Sequence, residues 1–361
     1  MDKLKKEFPL LRKCTYLNTA VFGPLYDSLI DWRQEHDLDA LLHGSEMWDQ
    51  TLKILSDTRE KIGLFFNCEK ERVSLVYNFS LGMNLLLEGL GAKKNVLLLE
   101  NDYPSVNWPF ESRKFNITTL GITSDLEDRI EEAVKKNDID VFAFSIVQWL
   151  DGFLIDLEFI KKLKSANPDL LIIADGTQFC GALSFDFKAS GIDVVGVSGY
   201  KWLLSGYGNG FMLFSDNMEN ELKAPSTGFN AANGNFKNKE TLALAKKMEP
   251  GHLSSLNFGS LKFSLDFLDS IGMENITQHN QNLSKEVKKA LRGMGLLQDY
   301  VVERNLHSTI FNIKADEKMF KILLENDIVC SLRGNGIRIS FNFYNDTDDL
   351  EHLIKVLKTK Y

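Results

Sequence analysis

The stretch GIDVVGVSGYKWLLSGYGNGF, residues 191–211, determines the fold expected for this chain. It begins with a short apolar run that is typical of a buried strand, and Lys201 follows that run closely. A second apolar run, in LLIIADGTQFCGAL at 170–183, ends at Asp175, 26 positions before the lysine. The carboxyl ends of parallel strands lie at the same edge of a sheet. We therefore expect this amine and this carboxylate to meet there.

An amine and a carboxylate at one sheet edge suit the two ends of pyridoxal phosphate (PLP). The cofactor's aldehyde takes an amine, and its ring nitrogen takes an anion that keeps the nitrogen protonated. Lys201 would form the Schiff base and then move the Cα proton, which requires a pKa lowered by burial and nearby cations. Gln178 could donate to the ring's phenolic oxygen. Taken alone, Asp175 could simply cap a turn and Lys201 could be a surface lysine, but the pair in these contexts favours a cofactor site.

Further apolar runs alternate with helical stretches through the first two thirds of the chain. They lack the alternation of a half-exposed strand and are typical of parallel strands covered on both faces. Residues 157–166 have helical spacing and stop before Pro168, which gives a strand–helix–strand unit. These patterns predict an α/β fold with a large, mostly parallel sheet and helices on both faces. The predicted strands lie at 95–100, 140–147, 170–175 and 193–198.

The last hundred residues have a different pattern of apolar residues. Helical spacing at 256–271 and over much of 273–294 precedes short strands and a closing helix. The short strands are predicted in STIFNIK (308–314), DIVCSL (327–332) and GIRISFN (336–342). We predict three parts, namely an N-terminal segment at 1–14 that packs on the smaller domain, a large α/β domain at 15–255 and a smaller α+β domain at 256–361.

The composition narrows the class of protein. A net charge of −8 over 361 residues, with no basic patch, argues against nucleic-acid binding. The four cysteines form no C-x-x-C pair, and no cluster has metal-ligand spacing, so we expect neither a disulfide frame nor a metal. The charged N-terminus does not match a secretory signal, and no run approaches the roughly 18 apolar residues of a membrane span. We therefore expect a soluble cytoplasmic enzyme. No G-x-G-x-x-G follows the first predicted strand, so a dinucleotide-binding dehydrogenase lacks support.

Eight motifs carry a resemblance over nearly the whole chain. They are YLNTAVFGP (16–24), YNFSLGMNLLLEGL (77–90), NDYPSVNWPF (101–110), SIVQWLDGFLIDL (145–157), AD-x-x-Q (174–178), SGYKW (198–202), EPGHLSSLNF (249–258) and RISFNFYN (338–345). In this order the chain resembles the class V aminotransferases. This fold-type I PLP group includes cysteine desulfurases, selenocysteine lyases, kynureninase and isopenicillin N epimerase-like proteins. The resemblance implies the fold-type I architecture, whose larger domain carries a seven-stranded type of sheet.

The resemblance also implies which residues hold the cofactor's phosphate. Phe79 (through its backbone N–H) and Ser80 would begin a helix, and helix N-termini favour anions. An ordinary serine helix cap is the alternative on local grounds. Ser198 and Tyr200 would add hydroxyl groups to the same phosphate, although relatives more often carry histidine at the second position.

Other matched positions would contact the ring or a second subunit. Tyr103 would stack on the pyridine ring, where some relatives have histidine. Gln148 would approach the ring oxygen or the substrate, where relatives often have asparagine. Gly251 and His252 lie where the family sends a loop across a dimer interface to the partner's phosphate, so the resemblance implies a homodimer with active sites at the interface.

The substrate end would be built around Arg338. This residue matches the family arginine that clamps the α-carboxylate of the substrate, and a planar guanidinium can do so with two parallel hydrogen bonds. Asn18 would line the same pocket, and Arg333 would add a second carboxylate or charge contact. Cysteine desulfurases carry a nucleophilic cysteine slightly upstream of this arginine. Here Cys330 falls inside an apolar strand pattern, where a thiol is usually a small buried hydrophobe.

These residues predict a homodimeric PLP enzyme that acts on the amino group or Cα of a small amino acid. Aminotransferase activity is the favoured hypothesis. Cysteine or selenocysteine β-lyase and amino-acid epimerase activities are alternatives on the same scaffold. A non-catalytic protein that keeps the fold for binding is a second alternative, which the joint presence of Lys201, Asp175 and Arg338 disfavours.

Overall fold

The structure, a computed structural model, describes residues 2–91, 93–223, 228–232, 234–235, 237 and 242–359. The strands are β1 (Thr15–Tyr16), β2 (Val73–Val76), β3 (Asn95–Leu99), β4 (Asn116–Leu120), β5 (Val141–Ser145), β6 (Leu171–Asp175), β7 (Val194–Ser198), β8 (Gly210–Phe214), β9 (Ile310–Ile313), β10 (Ile328–Val329), β11 (Ser331–Arg333) and β12 (Gly336–Ser340). The helices are α1 (Asp2–Lys5), α2 (Asp27–His43), α3 (Trp48–Phe66), α4 (Phe79–Gly89), α5 (Pro104–Glu111), α6 (Leu126–Lys136), α7 (Leu157–Ala166), α8 (Phe187–Ser190), α9 (Met218–Glu221), α10 (Ser255–Ile271), α11 (Met273–Gly293), α12 (Asp299–Glu303), α13 (Glu317–Glu325) and α14 (Thr347–Lys358).

Within the described residues, seven strands form one large sheet in the order β2–β8–β7–β6–β5–β3–β4. Strand β8 runs antiparallel to both of its neighbours, and the remaining pairs are parallel. The predicted α/β fold with a mostly parallel sheet is therefore confirmed. The parallel order places the carboxyl ends of β3, β5, β6 and β7 along one edge.

Both faces of the central strands are covered. In β5, Phe142 and Phe144 belong to one hydrophobic cluster, whereas Val141 and Ala143 belong to another on the opposite face. Side chains of a strand alternate between the two faces of its sheet, so both sets must be apolar when helices pack on both sides. This is the physical reason why the sequence shows continuous apolar runs here rather than alternation.

The C-terminal part builds a smaller antiparallel sheet in the order β11–β12–β9. The prediction of one strand over 327–332 is wrong, because the chain changes partners at Cys330. Residues Ile328 and Val329 pair in parallel with β1, whereas β11 pairs with β12. The N-terminal strand thus joins the C-terminal part of the chain. Among the described ranges, no helix has the length and hydropathy needed to cross a bilayer.

Candidate active site

A cavity of about 440 Å³ lies beyond the carboxyl ends of β6 and β7. Its volume is within the range of small-molecule sites, roughly 300–1,000 Å³. Six residues predicted from the sequence share its wall, namely Phe79, Ser80, Tyr103, Ser198, Tyr200 and Lys201. Thr177 and Tyr207 also line it, and the sequence analysis did not identify either.

Lys201 lies buried three residues after the end of β7. Its Nζ atom is 5.5 Å from the ring centres of both Tyr103 and Tyr200. Burial lowers the pKa of Lys201, the charge of Asp175 opposes that shift, and the cations Arg338 and Arg333 add to it. A larger fraction of Lys201 is therefore neutral near neutral pH than in an exposed lysine, and the neutral amine is the nucleophilic form.

Asp175 is the last residue of β6 and is buried beside the cavity. Burial raises the pKa of this carboxyl, while hydrogen bonds from Thr177 and the charge of Lys201 act in the opposite direction. The Thr177 N–H donates to Asp175 Oδ1 at 2.8 Å, and the Thr177 hydroxyl accepts from the N–H of Ser198 at 3.1 Å. Thr177 therefore fixes the carboxylate and ties the ends of two neighbouring strands together. A threonine two residues after an aspartate is common in turns, so the sequence carried little signal for this role.

The predicted phosphate groups converge at the start of α4. Asn78 caps this helix, because its side chain accepts from the N–H of Leu81 at 2.8 Å. The Phe79 N–H points to Ser198, whose Oγ accepts it at 2.8 Å. Ser80 Oγ lies 2.6 Å from Ser105 Oγ. Two hydroxyl groups and a helix N-terminus thus face one end of the cavity, which is a suitable site for a phosphate.

Aromatic rings form the side of the cavity near the lysine. Tyr200 stacks on Tyr207 with ring centres 4.5 Å apart, and Tyr207 stacks on Phe22 at 5.0 Å. Tyr103 meets the edge of Trp149 at 5.8 Å. The phenol of Tyr200 is therefore already packed against a neighbouring ring in the predicted phosphate region.

Arg338 lies in β12 with 3% of its surface exposed. Its Nη1 donates to the carbonyl oxygen of Trp149 at 2.5 Å, and its Nε has no partner among the described residues. Within that part of the chain no carboxylate forms an ion pair with this guanidinium. Burial and the charge of Arg333 lower the pKa of Arg338 to about 10. Arg333 itself is exposed at the end of β11, and its charge reaches both Arg338 and Lys201.

Three further predicted residues are buried or half-buried and, like Asp175 and Arg338, are not among the residues that line the cavity. The Gln178 amide donates to the Ala20 carbonyl at 3.0 Å and accepts from the Trp202 indole at 2.7 Å, which leaves one of its two N–H groups uncommitted. Gln148 is buried just after β5. Asn18 is half-buried, and its Oδ1 has no partner among the described residues.

Gly251 and His252 are exposed and are not among the residues that line the cavity. The His252 ring meets Trp48 at 5.3 Å and Phe229 at 5.6 Å. Its carbonyl oxygen accepts from the hydroxyl of Tyr77, which lines the cavity. Within one protomer the structure therefore does not bring these two residues to the Lys201 site.

Cys330 belongs to a hydrophobic cluster formed mainly by the C-terminal part of the chain. Burial raises the pKa of its thiol to about 12, so the thiolate is scarce at neutral pH. The buried position agrees with the structural reading of this residue.

A buried lysine and a buried carboxylate beyond the carboxyl ends of neighbouring parallel strands, with hydroxyl groups at a helix N-terminus beside them, are the features of a PLP-dependent enzyme of fold type I. The chain belongs to the class V aminotransferase family, because the family described as "Aminotransferase class-V" matches residues 39–353.

Relatives of known sequence or structure cover nearly the whole chain. A probable cysteine desulfurase of Methanothermobacter thermautotrophicus is 22% identical, with 99% of this chain and 97% of that protein covered. The apo structure of a cysteine desulfurase from Thermococcus onnurineus NA1 superposes with a TM-score of 0.87 at 14% identity, covering 99% of this chain and 97% of that one. A C-DES mutant with glycine covalently linked to its PLP cofactor gives 0.88 at 16% identity, with 97% of each chain covered.

Proposed function

We propose that this PLP-dependent enzyme transfers the amino group of a small amino acid, with Lys201 as the catalytic base. The observation that carries the proposal is a buried amine in the cavity wall, Lys201, whose pKa responds to the charges of two other buried groups, Asp175 and Arg338. Among the described residues, no carboxylate forms an ion pair with Arg338. An amine of lowered pKa next to an anion site and a carboxylate site is the combination that amino-acid chemistry on PLP requires.

The residues around the cavity fit the cofactor. When bound, PLP supplies an aldehyde that condenses with amines and a ring that accepts electrons from the substrate's Cα. Asp175 would accept a hydrogen bond from the ring nitrogen, and the start of α4 with Ser198 would hold the phosphate. Tyr103 would cover one face of the ring. Gln178 would use its uncommitted N–H toward the ring oxygen, and Gln148 would approach the same oxygen or the substrate.

Lys201 would take the proton from Cα and return it at a different carbon. Burial supports this role, because the neutral amine can accept a proton only if its pKa has been lowered toward the working pH. Arg338 would bind the α-carboxylate and hold the Cα–H bond in line with the amine. Asn18 would offer its unpartnered oxygen to the substrate, and Arg333 would attract anionic substrates to the mouth of the pocket.

Lyase chemistry on cysteine is the second candidate function. The names of the relatives favour it, since both a probable cysteine desulfurase and solved cysteine desulfurases match this chain. The burial of Cys330 disfavours a desulfurase that accepts sulfur on this residue. An epimerase remains a third outcome of the same proton transfer.

A panel of amino acids tested with and without a keto-acid acceptor would distinguish these activities. Transamination predicts that the amino group is recovered in a second amino acid and that turnover stops without the acceptor. Acceptor-independent release of sulfide from cysteine would replace the proposal with a lyase, and an inverted enantiomer would replace it with an epimerase. Lys201→Ala must abolish whichever activity is found.

We also propose a cytoplasmic homodimer with an apolar interface. Five exposed apolar side chains on α2 and α3 support it, and they include Trp48, which contacts His252 of the loop that the family sends to a partner. The five are Leu38, Leu41, Leu42, Trp48 and Leu52. All four cysteines are free thiols, which supports a reducing compartment.

The division into a segment at 1–14 and domains at 15–255 and 256–361 is likewise an inference. A separate hydrophobic cluster drawn almost entirely from residues 283–357 supports a C-terminal domain. Helix α10 packs against α3, however, so the beginning of the proposed smaller domain is attached to the larger one.

A further inference from the structure

A second buried carboxylate lies behind the candidate site. Asp102 immediately precedes Tyr103, is 4% exposed and does not line the cavity. Its Oδ1 accepts from the Tyr103 N–H at 2.6 Å and from the Ser145 hydroxyl at 2.5 Å, and its Oδ2 accepts from the Ser145 N–H at 2.8 Å. Gln148 lies three residues after Ser145 in the same segment, and its side-chain Nε2 is buried without a partner among the described residues. In the described part of the chain no lysine, arginine or histidine forms an ion pair with Asp102.

Ser145 joins this carboxylate to Asp175. It is the last residue of β5, and it pairs with Asp175 across the parallel strands β5 and β6. The next N–H along the chain, that of Ile146, donates to the carbonyl oxygen of Asp175 at 3.0 Å. The two carboxylates therefore lie on either side of one serine, at the same sheet edge.

Burying a carboxylate without a cation costs free energy. The groups that donate hydrogen bonds to Asp102 therefore indicate what the residue holds in place. Removing a charged group from water is strongly unfavourable unless hydrogen bonds replace its hydration. Here the donors come from Tyr103, whose ring enters the cavity, and from the segment that carries Gln148. Asp102 thus holds Tyr103 and the segment that carries Gln148, which the proposed function places against the cofactor ring.

Burial raises the pKa of Asp102, whereas the hydrogen bonds from Ser145 and Tyr103 favour its ionised form. In that form its charge also acts on Asp175. The other groups that face Asp175 are the cation Lys201 and the neutral side chains Tyr103, Tyr200 and Cys180. Lys201 favours the ionised form of Asp175, and Asp102 is the group of like charge that opposes it. A negative charge behind a carboxylate makes that carboxylate a better acceptor for a proton or a protonated ring nitrogen.

We propose that Asp102 is a positioning residue of the PLP site, which orients Tyr103 and Gln148 and strengthens the hold of Asp175 on the protonated ring nitrogen. The proposal rests on the proposed function, since it presumes that Asp175 meets that nitrogen. It assigns Asp102 no contact with the substrate or with the reacting atoms. Its effect is exerted through Ser145, Tyr103 and the field at Asp175.

The test compares Asp102→Asn with Asp102→Glu in the PLP-loaded protein. The first variant keeps the size of the side chain but removes its charge, and the second keeps the charge. Asp193→Asn is the control for removing a buried carboxylate away from the cavity, because Asp193 lies just before β7 and does not line the cavity. Unlike Asp102, it forms an ion pair with a lysine, Lys164, at 2.8 Å. The measurements are the dissociation constant of PLP, the NMR chemical shift of PLP labelled at its ring nitrogen, and the melting temperature.

We expect Asp102→Asn to raise the PLP dissociation constant about tenfold, as for the loss of one charge-assisted hydrogen bond, and to move the nitrogen shift toward the unprotonated value. Asp102→Glu should restore the nitrogen shift. Asp193→Asn should lower the melting temperature and leave the nitrogen shift unchanged. A wild-type nitrogen shift in Asp102→Asn, or an equal change in Asp193→Asn, overturns the proposal.

A further variant covers the case in which Asp102→Asn does not fold. Ser145→Ala removes one donor to Asp102 and keeps both carboxylates, so we expect a smaller rise of about two- to threefold in the PLP dissociation constant. An unchanged constant in that variant would count against the proposal. Failure of the proposed function is recognised separately, because Asp175→Asn would then leave the nitrogen shift unchanged as well.

Discussion

Arg338 donates a hydrogen bond to the backbone carbonyl of Trp149, with 2.5 Å between Nη1 and the oxygen. This bond connects the C-terminal sheet to the loop that follows β5 in the large sheet. It uses one edge of the guanidinium and leaves Nε without a partner among the described residues. The arginine is thus held in place by a neutral acceptor, and its charge remains available to an anion.

The first prediction concerns Arg338. We expect Arg338→Ala to weaken amino-acid binding by about 3 kcal/mol, roughly a hundredfold, because a buried charge-assisted pair with the α-carboxylate is lost. PLP binding should be unchanged. Titrating the cofactor absorbance with an amino acid measures the effect. The matching amine without a carboxylate is the control, and it should bind both proteins equally; equal affinity of the two proteins for the amino acid would exclude Arg338 from the site.

The second prediction concerns Lys201. Replacement by alanine removes the only amine in the described wall of the cavity, so the absorbance of the lysine–cofactor bond near neutral pH should disappear. PLP should still bind through the phosphate and ring contacts. Retention of that absorbance, with the bond mapped by mass spectrometry to another lysine, would contradict the assignment.

The third prediction concerns the pH dependence of the lysine. The Arg333 cation lowers the pKa of Lys201, so its removal in Arg333→Gln should raise that pKa and move the pH profile for lysine–cofactor bond formation upward. Because Arg333 is exposed and its field is screened, the shift should be small and should shrink further in high salt. Arg333→Lys retains the charge and should keep the original profile. A downward shift in Arg333→Gln would reverse the electrostatic argument.

The fourth prediction concerns the contact between Gly23 and the loop that carries Lys201. The Gly23 N–H donates to the carbonyl oxygen of Tyr200 at 2.9 Å, and a Cβ at this glycine would lie 2.0 Å from the carbonyl oxygen of Lys201. We expect Gly23→Ala to lower the free energy of unfolding by about 1–3 kcal/mol, as for overpacking, and to weaken PLP binding. Denaturant unfolding measures this.

Gly293→Ala is the control for that substitution. A Cβ at Gly293, the last residue of α11, meets no atom within 4 Å. Alanine should therefore be neutral or add up to about 1 kcal/mol of stability through helix propensity. Equal behaviour of the two variants would show that the close approach at Gly23 is unimportant.

The fifth prediction concerns the proposed dimer. Leu41 and Leu42 are 78% and 74% exposed on α2, and charged residues there should prevent burial against a second copy. We expect Leu41→Glu combined with Leu42→Glu to sediment as a monomer. Leu64→Glu, at a leucine that is 76% exposed on α3, should leave the assembly intact. A dimer that survives the double substitution would locate the interface elsewhere.

The elements that follow from local chemistry were predictable from the sequence. Helix α7 has its predicted bounds, because the Asp156 carboxylate caps its start by accepting the Glu158 N–H at 2.9 Å and Pro168 follows its end. The strands leading to Asp175 and Lys201 were recognisable because burial on both faces requires continuous apolar runs. The order of those two strands in the sheet places Asp175 and Lys201 at the same sheet edge.

Features that depend on distant partners were not predictable from one sequence. The break at Cys330 reflects two different partner strands, and apolar composition is the same on both sides of it. Asp102 resembles any aspartate in a turn, and its importance follows only from its bonds with Ser145, 43 positions away. The hydrogen bond from Arg338 to the Trp149 carbonyl was not predictable, because every residue carries a backbone carbonyl and the sequence does not mark which one will bind.

The position of Cys330 has a consequence for sulfur, should this scaffold cleave a C–S bond. A thiol buried among apolar side chains, with its pKa raised to about 12, is a poor sulfur acceptor at neutral pH because the reactive thiolate is scarce. The other cysteines, Cys14, Cys68 and Cys180, are also absent from the described wall of the cavity. Sulfur released by such a cleavage would therefore leave the cavity as a small molecule rather than as a persulfide on Cys330.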